Sequence, residues 1–530
     1  MRRHLMALQE NPPGVRAVSL PEALRMHLLD PQVVPEKTAE DLLAGRLDFL
    51  AAPRTYGARI DWRERGPGAP SHLWRMHLHY HRFGLEAVVG ALRRPAERDQ
   101  LLSRAAEMLL DWSRACPPGE HATFEDAWSP YSASVRLLHG WMARRLMEEI
   151  RGAAADRLRR VLDGRAAADA AFLAGWPEHD LGGNHLLRNA VGLMAAGRWL
   201  SGPLGDRCRR EGDTLLAREA GRQILSDGFH EERSPMYHAI LLEDLLSLAP
   251  ASPEEMELPA LLLRALAPLT HPDGEIALFN DSAFGVAAPA ERLRRLAAGL
   301  GLPVSGAPGD LTQAGYFRLG SAGDAVIFDA GLLGPDHLPA HSHCDALSFE
   351  MSLDGRRVVT DTGVDRYEAG PERTFQRSTA AHATLQVVGR EQGEPFGSFR
   401  MGRRPRVRGQ RIDAASVTGE HDGFGPVHRR TVRWEDRRLS WVDELDDSRE
   451  LPVTVRLGLS PGTKATAFPG GVRVDLPGGG RLTWTTPPGA VTVEPGVYCP
   501  RFGAREPRAV LCWRARAGRG LALAFALGPS

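Results

Sequence analysis

A chain of 530 residues exceeds one ordinary hydrophobic core and calls for two or three domains. Its 66 basic residues are balanced by 66 acidic ones, so bulk charge selects neither nucleic acid nor an anionic membrane as partner. Apolar residues at 43% with 25% charged exclude a disordered chain. No stretch is long and apolar enough to span a bilayer. Arg2 and Arg3 are followed by charges, Pro12 and Pro13, not by an apolar signal region, and the sequence as written therefore reads as soluble and unexported. The five cysteines (Cys116, Cys208, Cys344, Cys499, Cys512) form no CxxC pair, which argues against a disulfide framework or zinc knuckle.

The first ninety residues are less regular, with Leu73–Tyr80 as a packed aromatic entry segment. From about Arg98 to Leu300 the period is helical. Leu101, Leu102, Ala105, Met108, Leu109 and Trp112 share one face. Further helices are expected near 131–149, 154–174, 184–201, 211–226, 235–249, 256–266 and 289–300, with short Gly, Pro and Asp breaks. Helices joined by short loops pack antiparallel, as in a solenoid or a toroid. Beyond Gly301 the period changes to short strands: Tyr316–Leu319, Ala325–Phe328, Leu347–Leu353, Val358–Thr360, Thr384–Val388, His428–Trp434, Leu439–Glu444, Val453–Leu459 and Leu521–Phe525. Many short strands with turn punctuation predict an antiparallel β-sandwich. The expected division is 1–305 helical and 306–530 β, with a cleft between the two.

Four clusters have residue types suited to chemistry. Asp126-Ala127-Trp128-Ser129-Pro130-Tyr131-Ser132 offers rings and hydroxyls that stack on sugars, although core packing explains Trp128 equally well. Gly182-Gly183-Asn184-His185 opens a helix, a favourable place to meet an anion; the plainer reading makes Asn184 an N-cap and His185 a half-buried helix residue. Glu232-Arg233-Ser234-Pro235-Met236-Tyr237-His238 has Pro near a helix start, and Tyr237 there is either an acid or base or a packing aromatic. His341-Ser342-His343-Cys344-Asp345 runs into an alternating strand, with Asp361 at the end of the next strand and His382 beyond it. Such a turn holds imidazoles for catalysis or metal binding.

Taken in order, these clusters resemble the heparinase II/III-like polysaccharide lyases. The resemblance spans most of the chain, from Trp74–Tyr80 through Trp128–Arg136, Gly183-Asn184-His185, Ser234-Pro235-Met236-Tyr237-His238, Asp273-Gly274, Phe279-Asn280-Asp281 and the His-x-His strand. It implies an incomplete (α/α) toroid followed by an antiparallel β-sandwich, and cleavage of a uronic-acid glycan by β-elimination. It assigns Asn184 and His185 to the substrate carboxylate, Tyr237 to proton transfer, and His341 to charge neutralisation or to the opposite-face base. Asn184 and Tyr237 are expected on the helical side. His343, Asp361 and His382 match positions that bind a structural divalent metal, usually zinc, and no organic cofactor is implied. Asp345 is left with a turn-stabilising role. The implied partner is an acidic polysaccharide, with no nucleic acid and no membrane span. The family often has Asn-Asn-His where this chain has Gly183-Asn184-His185, and its members are usually periplasmic or secreted.

Three rivals remain open. A toroid glycoside hydrolase needs two carboxylates across a cleft, for which Asp126, Glu178 and Glu232 are available. A glycan-binding or exopolysaccharide-assembly protein would use the same scaffold without turnover. A cupin-type oxygenase would use the HxH, but Glu350 comes too late for its motif. The run Arg403, Arg404, Arg406, Arg408 and Arg411 reads as a solvated loop or a meeting place for sulfates.

Overall fold

The computed structural model describes residues 1–17, 19–304, 309–321, 323–519 and 521–529. The boundary expected between 305 and 306 lies outside the described residues. Two compact units are present: Met1–Arg222 with Leu241–Pro259 and Arg295–Pro303, and Gln223–Ile240 with Ala260–Arg294 and Val304–Ser530. The division is therefore not a single cut along the chain, and Tyr237 belongs with the β unit.

The helical unit is built as the apolar spacing predicts. Arg98–Ala115 buries Leu101, Leu102, Ala105, Met108, Leu109 and Trp112. Pro130–Leu146 packs against Arg82–Arg93, Ala153–Leu173 and Gly183–Trp199. Ser129 caps its start by accepting from the Ser132 amide at 3.1 Å, with Pro130 at the first helical position. The N-terminal ninety residues are more regular than expected. They hold Arg2–Glu10, Glu22–Leu28, Lys37–Leu43, His72–His79 and Arg82–Arg93, with a small hairpin, Arg46–Phe49 and Ala52–Thr55. The short helices among them lack the length that makes a 3.6-residue period visible. Buried charge is paired here: Asp169 accepts from Arg136 at 2.9 and 3.1 Å and from Arg165 at 3.1 Å. Both guanidiniums lie over the Trp112 and Trp128 rings.

In the β unit, the described residues form an eight-stranded sheet and two four-stranded sheets, with a shared core that includes Phe317, Phe349, Trp441, Val455, Trp484, Trp513 and Phe525. Alternation is clear in Arg438–Asp446, which buries Leu439, Trp441, Asp443 and Leu445 on one face. Several strands had no alternation strong enough to predict, among them Val407–Asp413, Ser416–His421, Gly471–Asp475 and the long pair Ala490–Arg501 and Ala504–Ala517. The expected basic loop is partly the first of these strands. Arg408 and Arg411 sit in it, and Arg411 pairs with Asp310.

Asp443 is a charge on the buried face, opposite Arg430 in register. It accepts from Arg430 at 2.7 and 2.9 Å and from His428 at 2.8 Å. Burial opposes its ionisation, but Arg430 and His428 override it and push the carboxyl down to about 2. A depressed folded-state pKa contributes stability above the unfolded carboxylate range and loses it as pH falls. Asp443→Asn is therefore expected to cost about 2 kcal/mol near neutrality. Urea unfolding at stepped pH should show the wild-type and variant stabilities converging as pH falls from about 4 towards about 2.

Candidate functional site

Asp281 organises the β unit's site. It is fully buried in a turn where Asn280 adopts a left-handed conformation at φ 55°. Its Oδ2 accepts from His341 Nδ1 at 2.9 Å and its Oδ1 from His343 Nε2 at 2.8 Å. Arg373 completes a two-pronged pair with both oxygens. Burial alone would raise this carboxyl, but Arg373, His341 and His343 hold it well below the usual range. The backbone binds the same turn together. The Asp281 amide donates to His341 O at 3.0 Å, and the His343 amide donates to Asn280 Oδ1 at 2.9 Å.

Tyr237 is delivered to this point by a pinned helix start. Ser234 Oγ accepts from the Tyr237 amide at 3.2 Å and donates to Asp281 O at 2.6 Å. Arg233, at φ 57°, presents its carbonyl to Tyr316 Oη at 2.6 Å and to Asn280 Nδ2 at 3.2 Å. The distant contacts of this segment, 46 to 83 residues away in sequence, explain why the Tyr237 segment belongs with the β unit. The Tyr237 ring stacks on His341 with centroids 4.0 Å apart and planes at 30°. His341 Nε2 lies 3.4 Å from Glu232 Oε2, so each of its ring nitrogens faces a carboxylate. Tyr237 Oη is 3.0 Å from Tyr367 Oη. Phe399 packs edge-on against both His341 and Tyr367. The sequence reading missed Tyr367, Arg373 and the central place of Asp281. Asp281 was visible only as part of Phe279-Asn280-Asp281.

Below His341 the predicted metal residues regroup. His343, Asp345 and His382 each offer a ligand atom, all within 4.8 Å of one another. His343 Nδ1, Asp345 Oδ1 and His382 Nε2 are buried atoms that, among the described residues, have no hydrogen-bond partner. Asp361, expected in the ligand set, instead accepts from His382 Nδ1 at 2.6 Å and from the Gly363 amide at 3.1 Å. Asp345, expected only to stabilise the turn, takes the third place. Its Oδ2 accepts from the Asn280 amide at 2.8 Å, which leaves Oδ1 for the cluster. Burial pushes the His343 imidazole down to about 4 and raises Asp345 to about 6. His343 is thus held in the neutral form that ligates metals. Glu350 is bound to Arg357 and to the Asp361 and Leu278 amides, not to this cluster, which leaves the cupin pattern without its carboxylate.

In the helical unit, Gly182 (φ 68°) and Gly183 (φ 54°) make the turn into Gly183–Trp199. Asn184 is inside the helix, so it is not the N-cap. His185 Nδ1 lies 3.2 Å from Glu178 Oε2 and the ring packs on Tyr131 at 4.7 Å. Arg188 pairs with Asp244 and lies over the Tyr131 ring. Burial nevertheless pushes Asp244 up to about 7. Trp128 is core, donating to Cys116 O at 2.9 Å. Asp126 is neutralised by Arg65, Arg75 and His72 and Glu178 is engaged by His185. Neither acid has the freedom that a hydrolase pair needs.

A run of helices followed by an antiparallel sandwich is a fold that solved structures share. Heparinase III matches with a TM-score of 0.74 at 18% identity, over 99% of this chain and 88% of that one. Heparan sulfate lyase HepC from Pedobacter heparinus matches at 0.60 and 17%, over 100% and 87%. The helical region and the sheet domain thus have the toroid and β-sandwich architecture. The Heparinase II/III N-terminus family matches residues 39–283 and the Heparinase II/III-like, C-terminal family matches residues 304–520. The chain belongs to the heparinase II/III-like family. It is 26% identical to FtsZ-localized protein C of Caulobacter vibrioides over 521 residues, covering 90% of this chain and 85% of that protein. It is also 26% identical over 350 residues to the heparin-sulfate lyase of Bacteroides thetaiotaomicron, covering 56% and 49%. No described helix is long and apolar enough to cross a membrane.

Proposed function

We propose that this chain is a polysaccharide lyase that cleaves a uronate-containing glycan by β-elimination. The observation that carries the reading is the Tyr237–His341 stack, bracketed by Asp281, Glu232 and Tyr367. The proton on C5 of the uronate is removed, the C4–O4 bond breaks, and a C4–C5 double bond forms. Tyr237 Oη takes that proton or supplies one to the departing oxygen, with Tyr367 Oη holding the phenol in place. His341, with Asp281 on one ring nitrogen and Glu232 facing the other, neutralises charge beside the developing anion or acts as the opposite-face base. The family resemblance gives Asn184 and His185, on the helical unit, a hydrogen bond to a uronate carboxylate.

A divalent ion, zinc by the donor set of two imidazoles and a carboxylate, would be held by His343, Asp345 and His382. Asp281 and Asp361 orient the two rings through their other nitrogens. When bound, such an ion supplies a cross-link beneath His341. His382→Ala is expected to lower zinc, measured by elemental analysis of the purified chain, from about one ion per molecule to near none. Equal zinc in both proteins, or none in the wild type, removes the assignment.

The heparan sulfate lyases among its similar proteins support an acidic glycosaminoglycan as substrate. Incubation with heparan sulfate, hyaluronan and alginate, followed by ultraviolet absorbance of the unsaturated uronate, tests the reaction. New reducing ends without that absorbance would mean hydrolysis. The similarity to FtsZ-localized protein C, named for where it is found, favours a second reading: a binding protein on the same scaffold. Binding of a uronate polymer without cleavage would select it.

A further inference from the structure

A ladder of aromatic rings in the helical unit ends in solvent. Trp112 meets Trp128 at 5.9 Å, Trp128 meets Phe172 edge-on at 5.2 Å, and Phe172 stacks on Trp176 at 6.0 Å with planes at 25°. Trp112, Trp128 and Phe172 are buried, whereas Trp176 is 51% exposed, the one exposed tryptophan among the described residues. The ladder is held firmly. Asp169, one turn before Phe172, fixes Arg136 and Arg165 against Trp112 and Trp128. The Trp176 amide donates to Phe172 O at 3.1 Å and Leu173 O at 3.2 Å, and Pro177 restricts the Trp176 backbone before it. An indole with so much apolar surface in water, on so rigid a support, suits stacking against another apolar face.

The loop that continues from Trp176 ties it to the Asn184–His185 helix start. Glu178, two residues on, accepts Asn189 Nδ2 at 3.5 Å, gives its amide to Asn189 Oδ1 at 2.8 Å and reaches His185 at 3.2 Å. Leu181, 50% exposed, adds apolar surface, and His179 and Asp180 are exposed polar neighbours. We propose that Trp176 is the floor of a sugar-binding subsite on the helical unit, taking the apolar face of one pyranose ring of an acidic glycan. The inference deepens the lyase reading by naming where a sugar of the same polymer is gripped, but it requires binding only.

The test uses the full chain, with Trp176→Ala and Trp176→Phe, titrated calorimetrically with heparan sulfate, hyaluronan and alginate oligosaccharides. At least one glycan is expected to bind the wild type, roughly tenfold more weakly to the alanine variant and nearly normally to the phenylalanine variant, which keeps a ring. Acrylamide quenching gives a second readout. The quenchable tryptophan component should shrink in Trp176→Phe to what the partly exposed Trp434 contributes, and the Trp176 share should be protected in the wild type by saturating glycan. Equal affinity of wild type and Trp176→Ala, unchanged quenching at saturation, or no binding of any of the three glycans would overturn the subsite. Trp176-dependent binding without an unsaturated product would leave the subsite standing and remove the lyase reading. Cleavage with an unaltered KM in Trp176→Ala would do the reverse.

Discussion

Tyr237→Phe is expected to lower turnover by about a thousandfold on whichever uronate glycan the wild type cleaves, with KM little changed. The substitution removes one oxygen and keeps the ring, so the 4.0 Å stack on His341 and the helix start capped by Ser234 are preserved. The lost contact is the 3.0 Å hydrogen bond to Tyr367, and Tyr237 is only partly buried. Its stability cost should stay within about 1 kcal/mol. Turnover and folding therefore separate: unfolding curves should nearly superimpose while the rate of absorbance increase collapses. Turnover within tenfold of wild type would mean that the phenol neither gives nor takes the proton.

The fold was legible because its two periodicities differ. The helical stripe of Leu101 to Trp112 and the alternation around Trp441 both follow from burying one face of a regular element. The site was legible only in part. His341, His343 and Tyr237 stand out because their types and spacing are local. Asp281 did not, because its three cationic or imidazole partners lie 60, 62 and 92 residues away and no short-range pattern encodes such a convergence. Asp361 and Asp345 could not be told apart by spacing. What separates them is direction: the Asn280 amide fixes one Asp345 oxygen and leaves the other for the cluster, while Asp361 is spent on His382 Nδ1 and the Gly363 amide. The interleaving of the two compact units along the chain is hidden from the sequence for the same reason. Ser234 and Arg233 are held by distant partners in the β unit, and a reading of helix period cannot see them.

Asp281→Asn is expected to be the most damaging single substitution in the β unit. Arg373 is buried with Asp281 as its ionic partner, and it also donates to the Ser398 carbonyl and lies over the Tyr367 and Phe399 rings. Asparagine is nearly the same size but neutral, and its amide nitrogen turns a donor towards groups that already donate. Stranding a buried guanidinium costs about 3–5 kcal/mol, more than the effect expected of Asp443→Asn, where Arg430 keeps its bonds to the Leu347 and Ala383 carbonyls. Three further losses should accompany the drop in denaturation midpoint. His341 loses the carboxylate on Nδ1, so the ring is no longer held in place beside Tyr237 and turnover falls. His343 loses the partner that fixes its tautomer, so zinc content falls although no ligand has been changed. Arg373 no longer holds the Tyr367 ring from behind, and the phenol that Tyr237 leans on is freed. A variant that unfolds at the wild-type midpoint, with the same zinc content as the wild type, would show that Asp281 is one polar neighbour among several, and not the residue on which the placement of His341 and His343 depends.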